Sequence, residues 1–222
     1  MHPRIRGVYA ITPDEPRTAL LTLQVSEALA GGVRLLQYRN KLADKALARE
    51  QATVLRKLTT DASACFIVND DIDLALAVSA DGVHLGRDEA GTEGAFVDIN
   101  SIRQRASRNA PHARRFIIGI SCYMDMDYAR VAADAGADYI AFGSFFQSPT
   151  KPLAPRAELS LIGNAKREFS LPVVAIGGIT VENTPQLVAA GADAVAVISS
   201  LFYADDIRLR AQSFISHYSN NV

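Results

Sequence analysis

Apolar residues along this chain gather into eight short runs, at about 8–11, 33–36, 66–68, 83–85, 116–120, 139–142, 173–176 and 194–197. The runs are apolar throughout, as expected of parallel strands covered on both faces. Helical periodicity fills the spaces between them. Leu21, Val25, Ala28 and Leu29 share one helical face. Leu47, Val54, Leu55 and Leu58 share another, behind Asp44, a residue suited to capping a helix start. Further helices are predicted over 125–135, after Leu159, over 181–190 and over 205–217. The least regular connection is 90–115, with a short helix near 99–107.

A quasi-repeat supports the alternation. Ala135-Gly-Ala-Asp-Tyr-Ile-Ala-Phe142 resembles Ala190-Gly-Ala-Asp-Ala-Val-Ala-Val197, and Ser79-Ala-Asp-Gly-Val-His-Leu85 is a weaker copy. Each copy ends a helix, turns and enters a buried strand, with Gly136 and Gly191 as left-handed helix stops. Alternating strands and helices imply a parallel sheet with right-handed crossovers. Eight such units close on themselves, so the expected fold is α/β, one (β/α)8 barrel domain over 1–222.

Polar residues cluster just past the runs: Gln37, Arg39 and Lys41; Asn69 and Asp70; Asp88 and Glu89; Ser121; Ser148, Thr150 and Lys151; Gly177 and Gly178; Ser199. Barrel enzymes assemble their active sites on that rim. Arg39 and Lys41 alternate along an extended segment, one offering a planar fork to phosphate oxygens and the other a point charge. The plain alternative is a solvated loop. Asn69 and Asp70 are both good helix caps, which explains one of them more easily than both. Strands three and four should lie about 4.8 Å apart, so their terminal carboxylates can converge on one ion. Mg2+ commonly takes one or two carboxylates with phosphate oxygens and water; Asp70 with Glu89, or with Asp88, fits that habit. Prolines on both sides of Thr150 and Lys151 stiffen the loop after strand six. The loops after strands seven and eight are where barrels often hold a phosphate on backbone amides.

Composition narrows the partners. A chain of 222 residues suits one barrel, and a net charge of −1 gives no general attraction to nucleic acid or membrane. An anionic ligand must then be held by local Arg and Lys. The start, Met-His-Pro-Arg-Ile-Arg, leads straight into the first run; its apolar stretch is too short for a signal peptide or membrane span. Cys65 and Cys122 fit neither a disulfide framework nor a zinc site, and both read as packing residues. A reducing cytoplasm is the expected location. His84, inside a strand, reads as a hydrogen-bonded core histidine. Phe145 and Phe146 would either cover a substrate or meet another subunit.

Five motifs in order resemble the thiamin phosphate synthase family: Gln-Tyr-Arg-Asn-Lys (37–41), Asn-Asp-Asp-Ile-Asp-Leu-Ala-Leu (69–76), Asp-Gly-Val-His-Leu-Gly (81–86), Ser-Pro-Thr-Lys-Pro (148–152) and Ala-Ile-Gly-Gly-Ile-Thr (175–180). The resemblance runs from Val8 to about Phe202. It implies a transferase that condenses 4-amino-5-hydroxymethyl-2-methylpyrimidine diphosphate with a thiazole phosphate, releasing pyrophosphate. By similarity, Gln37, Arg39, Lys41, Asn69, Ser121 and Lys151 bind the pyrimidine diphosphate, with Tyr38 and Asn40 in the same segment. Ser148, Thr150, Gly178, Ile198 and Ser199 hold the thiazole phosphate, and Asp70 and Glu89 bind one Mg2+. Arg39, Lys41 and Lys151 would stabilise the leaving group. The partners implied are these two small molecules, with a homo-oligomer left open.

One position departs from the family pattern. Where the family has Asp after Gly-Gln-x, this chain has Glu89 after Gly86-Arg87-Asp88. Either Glu89 reaches further by one methylene or Asp88 substitutes, and Arg87 has no role by similarity. Alternatives are a thiazole tautomerase-like isomerase and a non-catalytic phosphate-binding barrel. The tautomerase uses a histidine after strand five, where this chain has Ile120-Ser-Cys-Tyr-Met. A Schiff-base aldolase would need a buried strand lysine, and none of the eight runs has one.

Overall fold

The computed structural model describes residues 5–92, 96–109, 115–147 and 155–219. Ser148, Thr150 and Lys151 therefore lie outside the described residues. Eight parallel strands close into a barrel in sequence order. They are β1 (Gly7–Ile11), β2 (Leu35–Tyr38), β3 (Cys65–Asn69), β4 (Gly82–Leu85), β5 (Ile117–Tyr123), β6 (Tyr139–Gly143), β7 (Val173–Ile176) and β8 (Ala194–Val197). The helices around them are α1 (Thr18–Ala30), α2 (Lys45–Asp61), α3 (Ile72–Ala77), α4 (Arg87–Ala90), α5 (Ile99–Asn109), α6 (Met126–Asp134), α7 (Ser160–Glu168), α8 (Thr184–Ala189), α9 (Ser199–Phe202) and α10 (Ile207–Ser219). The expected (β/α)8 barrel is the fold observed.

Two apolar shells explain the uninterrupted strand runs. Tyr9, Leu35, Cys65, Ile67, Ile117, Tyr139 and Val174 fill the barrel interior. Their strand neighbours Val8, Ala10, Leu36, Phe66, Val68, Ile118 and Ile140 face outward against the helices. Strand alternation is present, but both faces are apolar.

α1 buries Leu21, Val25, Ala28 and Leu29, as its periodicity predicts. Asp44 caps α2, accepting from Leu47 N at 2.8 Å. The buried face of α2 is Gln51, Ala52, Leu55 and Thr59; it keeps Leu55 of the expected Leu47, Val54, Leu55 and Leu58 stripe, with Leu58 partly buried at its edge. Gln51 is drawn inward because its amide has fixed partners there, the Tyr38 hydroxyl at 3.0 Å and the Glu15 carbonyl at 2.8 Å. α5 extends past the expected 107 and is anchored by buried Ile99 and Ile102.

Two strands differ from expectation. β2 lies two residues later than 33–36, so Gln37 and Tyr38 are inside the strand. β5 runs on to Tyr123 through a bulge at Ser121–Tyr123, so Ser121 is also a strand residue. In both cases a polar residue inside the barrel looks, in sequence, like the end of a run.

The repeat aspartates do the same job three times. Asp81, Asp138 and Asp193 each accept a backbone N–H from the start of the preceding strand: Phe66 at 2.9 Å, Ile118 at 2.8 Å and Val173 at 2.7 Å. Each also takes a cation from the helix that leads into that preceding strand: Arg56 of α2 at 2.8 Å, Arg103 of α5 at 2.7 Å and Lys166 of α7 at 2.7 Å. These clamps close the N-terminal end of the barrel, the end that serves stability. The left-handed backbone of Gly136 and Gly191 (φ +94° and +102°) delivers the next residues to them, and Ser79 adopts the same turn at φ +53°.

Candidate active site

At the opposite end, the loop after β2 is laced to the loop after β1. Thr12 Oγ1 both accepts from Arg39 N and donates to Arg39 O, each at 2.8 Å. Asp14 accepts from Arg39 Nη1 at 3.0 and 3.2 Å and from Lys41 N at 2.7 Å. The Arg39 guanidinium is thus aimed by a carboxylate and still partly open. Lys41 has no ion pair among the described residues. Asn40 Nδ2 donates to the Glu15 carbonyl at 2.9 Å and to Gln51 at 3.1 Å, while the Tyr38 hydroxyl donates to Gln51. Tyr38 and Asn40 therefore commit their side-chain polar groups to holding the segment.

Asn69 ends β3 beside His84 on β4. Asp70 follows with a left-handed backbone (φ +61°), its N–H donating to the His84 carbonyl at 2.8 Å. A non-glycine residue held in that region is uncommon, and such strain gathers at functional positions. The cap of α3 is Asp71, which accepts from Leu74 N at 2.8 Å. Helix capping thus accounts for neither Asn69 nor Asp70. A cavity of about 630 Å³ opens between the β2 and β3 loops, and Arg39, Lys41, Asn69 and Asp70 all line it.

The donor set suits a hard cation. Asp70 accepts from the Asn69 amide and from Gly86 N at 3.1 Å, and no cationic side chain pairs with it among the described residues. A methyl group placed on Gly86 would lie 2.6 Å from Glu89 Oε2 and 3.7 Å from Asp70 Oδ1, so these two carboxylates flank one glycine. Among the described residues no cluster of three or more His, Cys, Asp or Glu forms a closed metal cage. Two carboxylates with room for other oxygen ligands are what Mg2+ takes when substrate phosphates complete its shell.

On the far side of the mouth, the β7 and β8 loops lie together: Ser200 Oγ donates to the Ile179 carbonyl at 2.6 Å. Ile198 caps the four-residue α9, which Ser199 opens. Gly178 presents its carbonyl to Asn183 Nδ2 at 3.0 Å. Gly177 and Gly178 have a packing reason of their own, because side chains there would strike Ser144 at 2.0 Å and the Gln147 carbonyl at 2.4 Å. The structure therefore brings Gly178, Ile198 and Ser199 to one rim segment.

Deeper in the barrel, Gln37, His84 and Ser121 are joined through two tyrosines. His84 Nε2 lies 2.8 Å from Ser121 Oγ and Nδ1 lies 2.9 Å from the Tyr139 hydroxyl, so it is the hydrogen-bonded core histidine expected. Burial pushes its pKa down from 6.5 to about 4. The sign for stability follows. Above pH 6.5 the ring is neutral in both states; as pH falls toward 4, the unfolded chain gains a proton that the native ring refuses. Stability should therefore decline across that window by up to about 3 kcal/mol. Urea unfolding at pH 7.5 and pH 5 measures this, and His84→Gln should show a shallower loss; an equal loss in the variant contradicts it.

Phe145 is buried, and the half-buried Phe146 packs against the same apolar cluster. Cys65 and Cys122 are buried packing residues, and burial pushes the Cys122 thiol up to about 12. Arg87 pairs with Asp125 at 2.7 Å and lies over the Tyr128 ring at 4.3 Å, which accounts for its presence near the rim. Sequence reasoning missed Tyr9, Tyr139, Thr12 and Asp14. The tyrosines sit inside apolar runs and read as core aromatics; Thr12 and Asp14 follow β1 and carried the same strand-end signal as the residues that were found.

The family model for thiamine monophosphate synthase matches residues 8–201. The chain belongs to the thiamine monophosphate synthase family. It is 47% identical to the thiamine-phosphate synthase of Thiobacillus denitrificans, over 92% of this chain and 91% of that protein. It is 48% identical to the thiamine-phosphate synthase of Methylobacillus flagellatus, over 96% and 95% respectively. The solved thiamine phosphate pyrophosphorylase of Pyrococcus furiosus superposes with a TM-score of 0.77 at 33% identity, covering 98% of this chain and 97% of that one. The chain is accordingly an enzyme, a transferase of thiamine biosynthesis, and thiamine-phosphate synthesis is its activity. Within this thiamine monophosphate synthase fold, the open mouth is the rim just described. No helix among the described residues is long and apolar enough to cross a membrane.

Proposed function

We propose that this rim joins 4-amino-5-hydroxymethyl-2-methylpyrimidine diphosphate to 4-methyl-5-(2-hydroxyethyl)thiazole phosphate, or its carboxylated form, releasing pyrophosphate. The observation that carries this reading is one cavity whose lining brings Arg39 and Lys41, with Lys45 and Arg49 beyond them on α2, together with Asn69 and Asp70. Departure of pyrophosphate leaves positive charge on a carbon that the electron-rich aminopyrimidine shares. The protein's task is to hold the departing negative charge. Arg39 and Lys41, with Lys151, supply fixed positive charge that needs little rearrangement. Asp70 and Glu89 would hold Mg2+, which when bound neutralises phosphate oxygens. Gly178, Ile198 and Ser199, with Ser148 and Thr150, would hold the second phosphate across the mouth and so orient the two reactants. The thiazole nitrogen attacks with its own lone pair, so no strong general base is required. A reducing cytoplasm suits the buried thiols Cys65 and Cys122.

The test is pyrophosphate release on mixing both precursors with Mg2+. Release with coupling is expected. Isomerisation of the thiazole alone, or binding without turnover, overturns the reading. Asp70→Asn combined with Glu89→Gln should abolish the response to added Mg2+, and an unchanged metal titration removes both residues from the metal site.

A further inference from the structure

Nothing in that chemistry requires the line of polar groups that crosses the barrel interior. Five strands contribute to it. Gln37 Nε2 on β2 donates to the Tyr9 hydroxyl on β1 at 2.8 Å. The Tyr9 and Tyr139 hydroxyls, β1 to β6, are 2.8 Å apart. Tyr139 continues to His84 Nδ1 on β4 at 2.9 Å, and His84 Nε2 continues to Ser121 Oγ on β5 at 2.8 Å. Gln37, Tyr9, Tyr139 and His84 are all buried, and the Tyr139 ring fills the space a side chain on Gly119 would need, 1.9 Å from where its Cβ would stand. His84 stacks on that ring at 5.5 Å. The four buried members are shut off from water, so their polar groups depend on protein partners.

Counting protons along it gives a direction, starting from a Gln37 amide with Nε2 toward Tyr9. Each hydroxyl carries one proton and the uncharged imidazole carries one. The Tyr9 oxygen accepts from Gln37, and the Tyr139 oxygen is the partner that remains for its own buried proton, so that proton goes to Tyr139. The Tyr139 proton then goes to His84 Nδ1, which must be bare. His84 therefore carries its hydrogen on Nε2 and donates it to Ser121. The Ser121 oxygen accepts from His84, and its own proton is left to point at the mouth. With the Gln37 amide turned over, every bond would reverse and Ser121 would spend its proton on His84.

We propose that this buried line holds Ser121 as a hydrogen-bond donor toward the substrate, with His84 as the positioning residue that sets it. The inference rests on the reading that Ser121 meets the pyrimidine diphosphate. Its consequence is selectivity. The position favours an acceptor, an unprotonated ring nitrogen or a phosphate oxygen, over a group that presents an N–H, which would meet only the second lone pair of the hydroxyl and leave the Ser121 proton unpaired.

The first readout needs no substrate. Nitrogen-15 NMR of histidine-labelled protein, with His84 assigned by its loss in His84→Gln, should show Nδ1 bare and Nε2 protonated. An Nδ1–H tautomer overturns the inference whatever the kinetics. The second readout is kinetic. Ser121→Ala and Tyr139→Phe should each raise KM for the pyrimidine diphosphate about tenfold, the size of one hydrogen bond, with KM for the thiazole phosphate unchanged. The double variant should be no worse than Ser121→Ala alone, because both act through one bond; multiplied effects contradict this. Inhibition by inorganic diphosphate separates the two acceptors: Ser121→Ala weakens it if the acceptor is a phosphate oxygen and leaves it unchanged if it is a ring nitrogen. The expected tautomer together with an unchanged KM in Ser121→Ala would instead refute the placing of Ser121 on this substrate.

Discussion

Arg39→Ala should lower turnover at saturating substrate by about 10²–10³-fold, the cost typical of losing one preorganised charge on a transition state. Its backbone is held on both sides by Thr12 at 2.8 Å, so the loop keeps its course when the side chain is removed. The guanidinium is half-buried against Asp14 and reaches the cavity that Lys41 and Asp70 share. Arg39→Lys should recover part of the loss, because the charge returns without the planar fork. An effect of the same size is expected for Lys151→Ala on the strength of its motif. Steady-state kcat, with far-UV circular dichroism as a check on folding, decides the matter. Near-normal kcat in Arg39→Ala would remove it from leaving-group stabilisation.

Asp138→Ala should be the most damaging substitution for stability, by about 3–5 kcal/mol. Its carboxylate is 6% exposed and serves Arg103, Arg115 and the Ile118 amide together. Removing it strands a largely buried guanidinium and a backbone N–H at the foot of β5. Asp73→Ala breaks an ion pair too, with Arg105, but that carboxylate is 84% exposed, and a change below about 1 kcal/mol is expected. Urea unfolding midpoints of the two variants measure the contrast. Equal losses would show that the clamp is no more than a surface pair.

The strands were legible because both faces of each are apolar, and the repeat announced two helix stops and the turns into β6 and β8. What sequence concealed was polarity inside the barrel. Gln37 and Ser121 read as strand ends since nothing in a linear pattern shows that Tyr9, Tyr139 and His84 await them across the interior. The same blindness hid Gln51, a polar residue on the buried face of α2 whose partners lie on β2 and the β1 loop. The rim motifs could be read because strand ends gather on one side in any closed parallel barrel. Choosing between Glu89 and Asp88 could not be done from spacing; the approach of Glu89 and Asp70 to Gly86 depends on how α4 starts after β4.

A crystal structure of the enzyme soaked with inorganic diphosphate and Mg2+ tests the leaving-group site most directly. The expected result is one diphosphate in contact with Arg39 and Lys151, its oxygens sharing a metal ion with Asp70 and Glu89. Arg39 and Asp70 bound to separate ligands, or too far apart to reach one diphosphate, would contradict it.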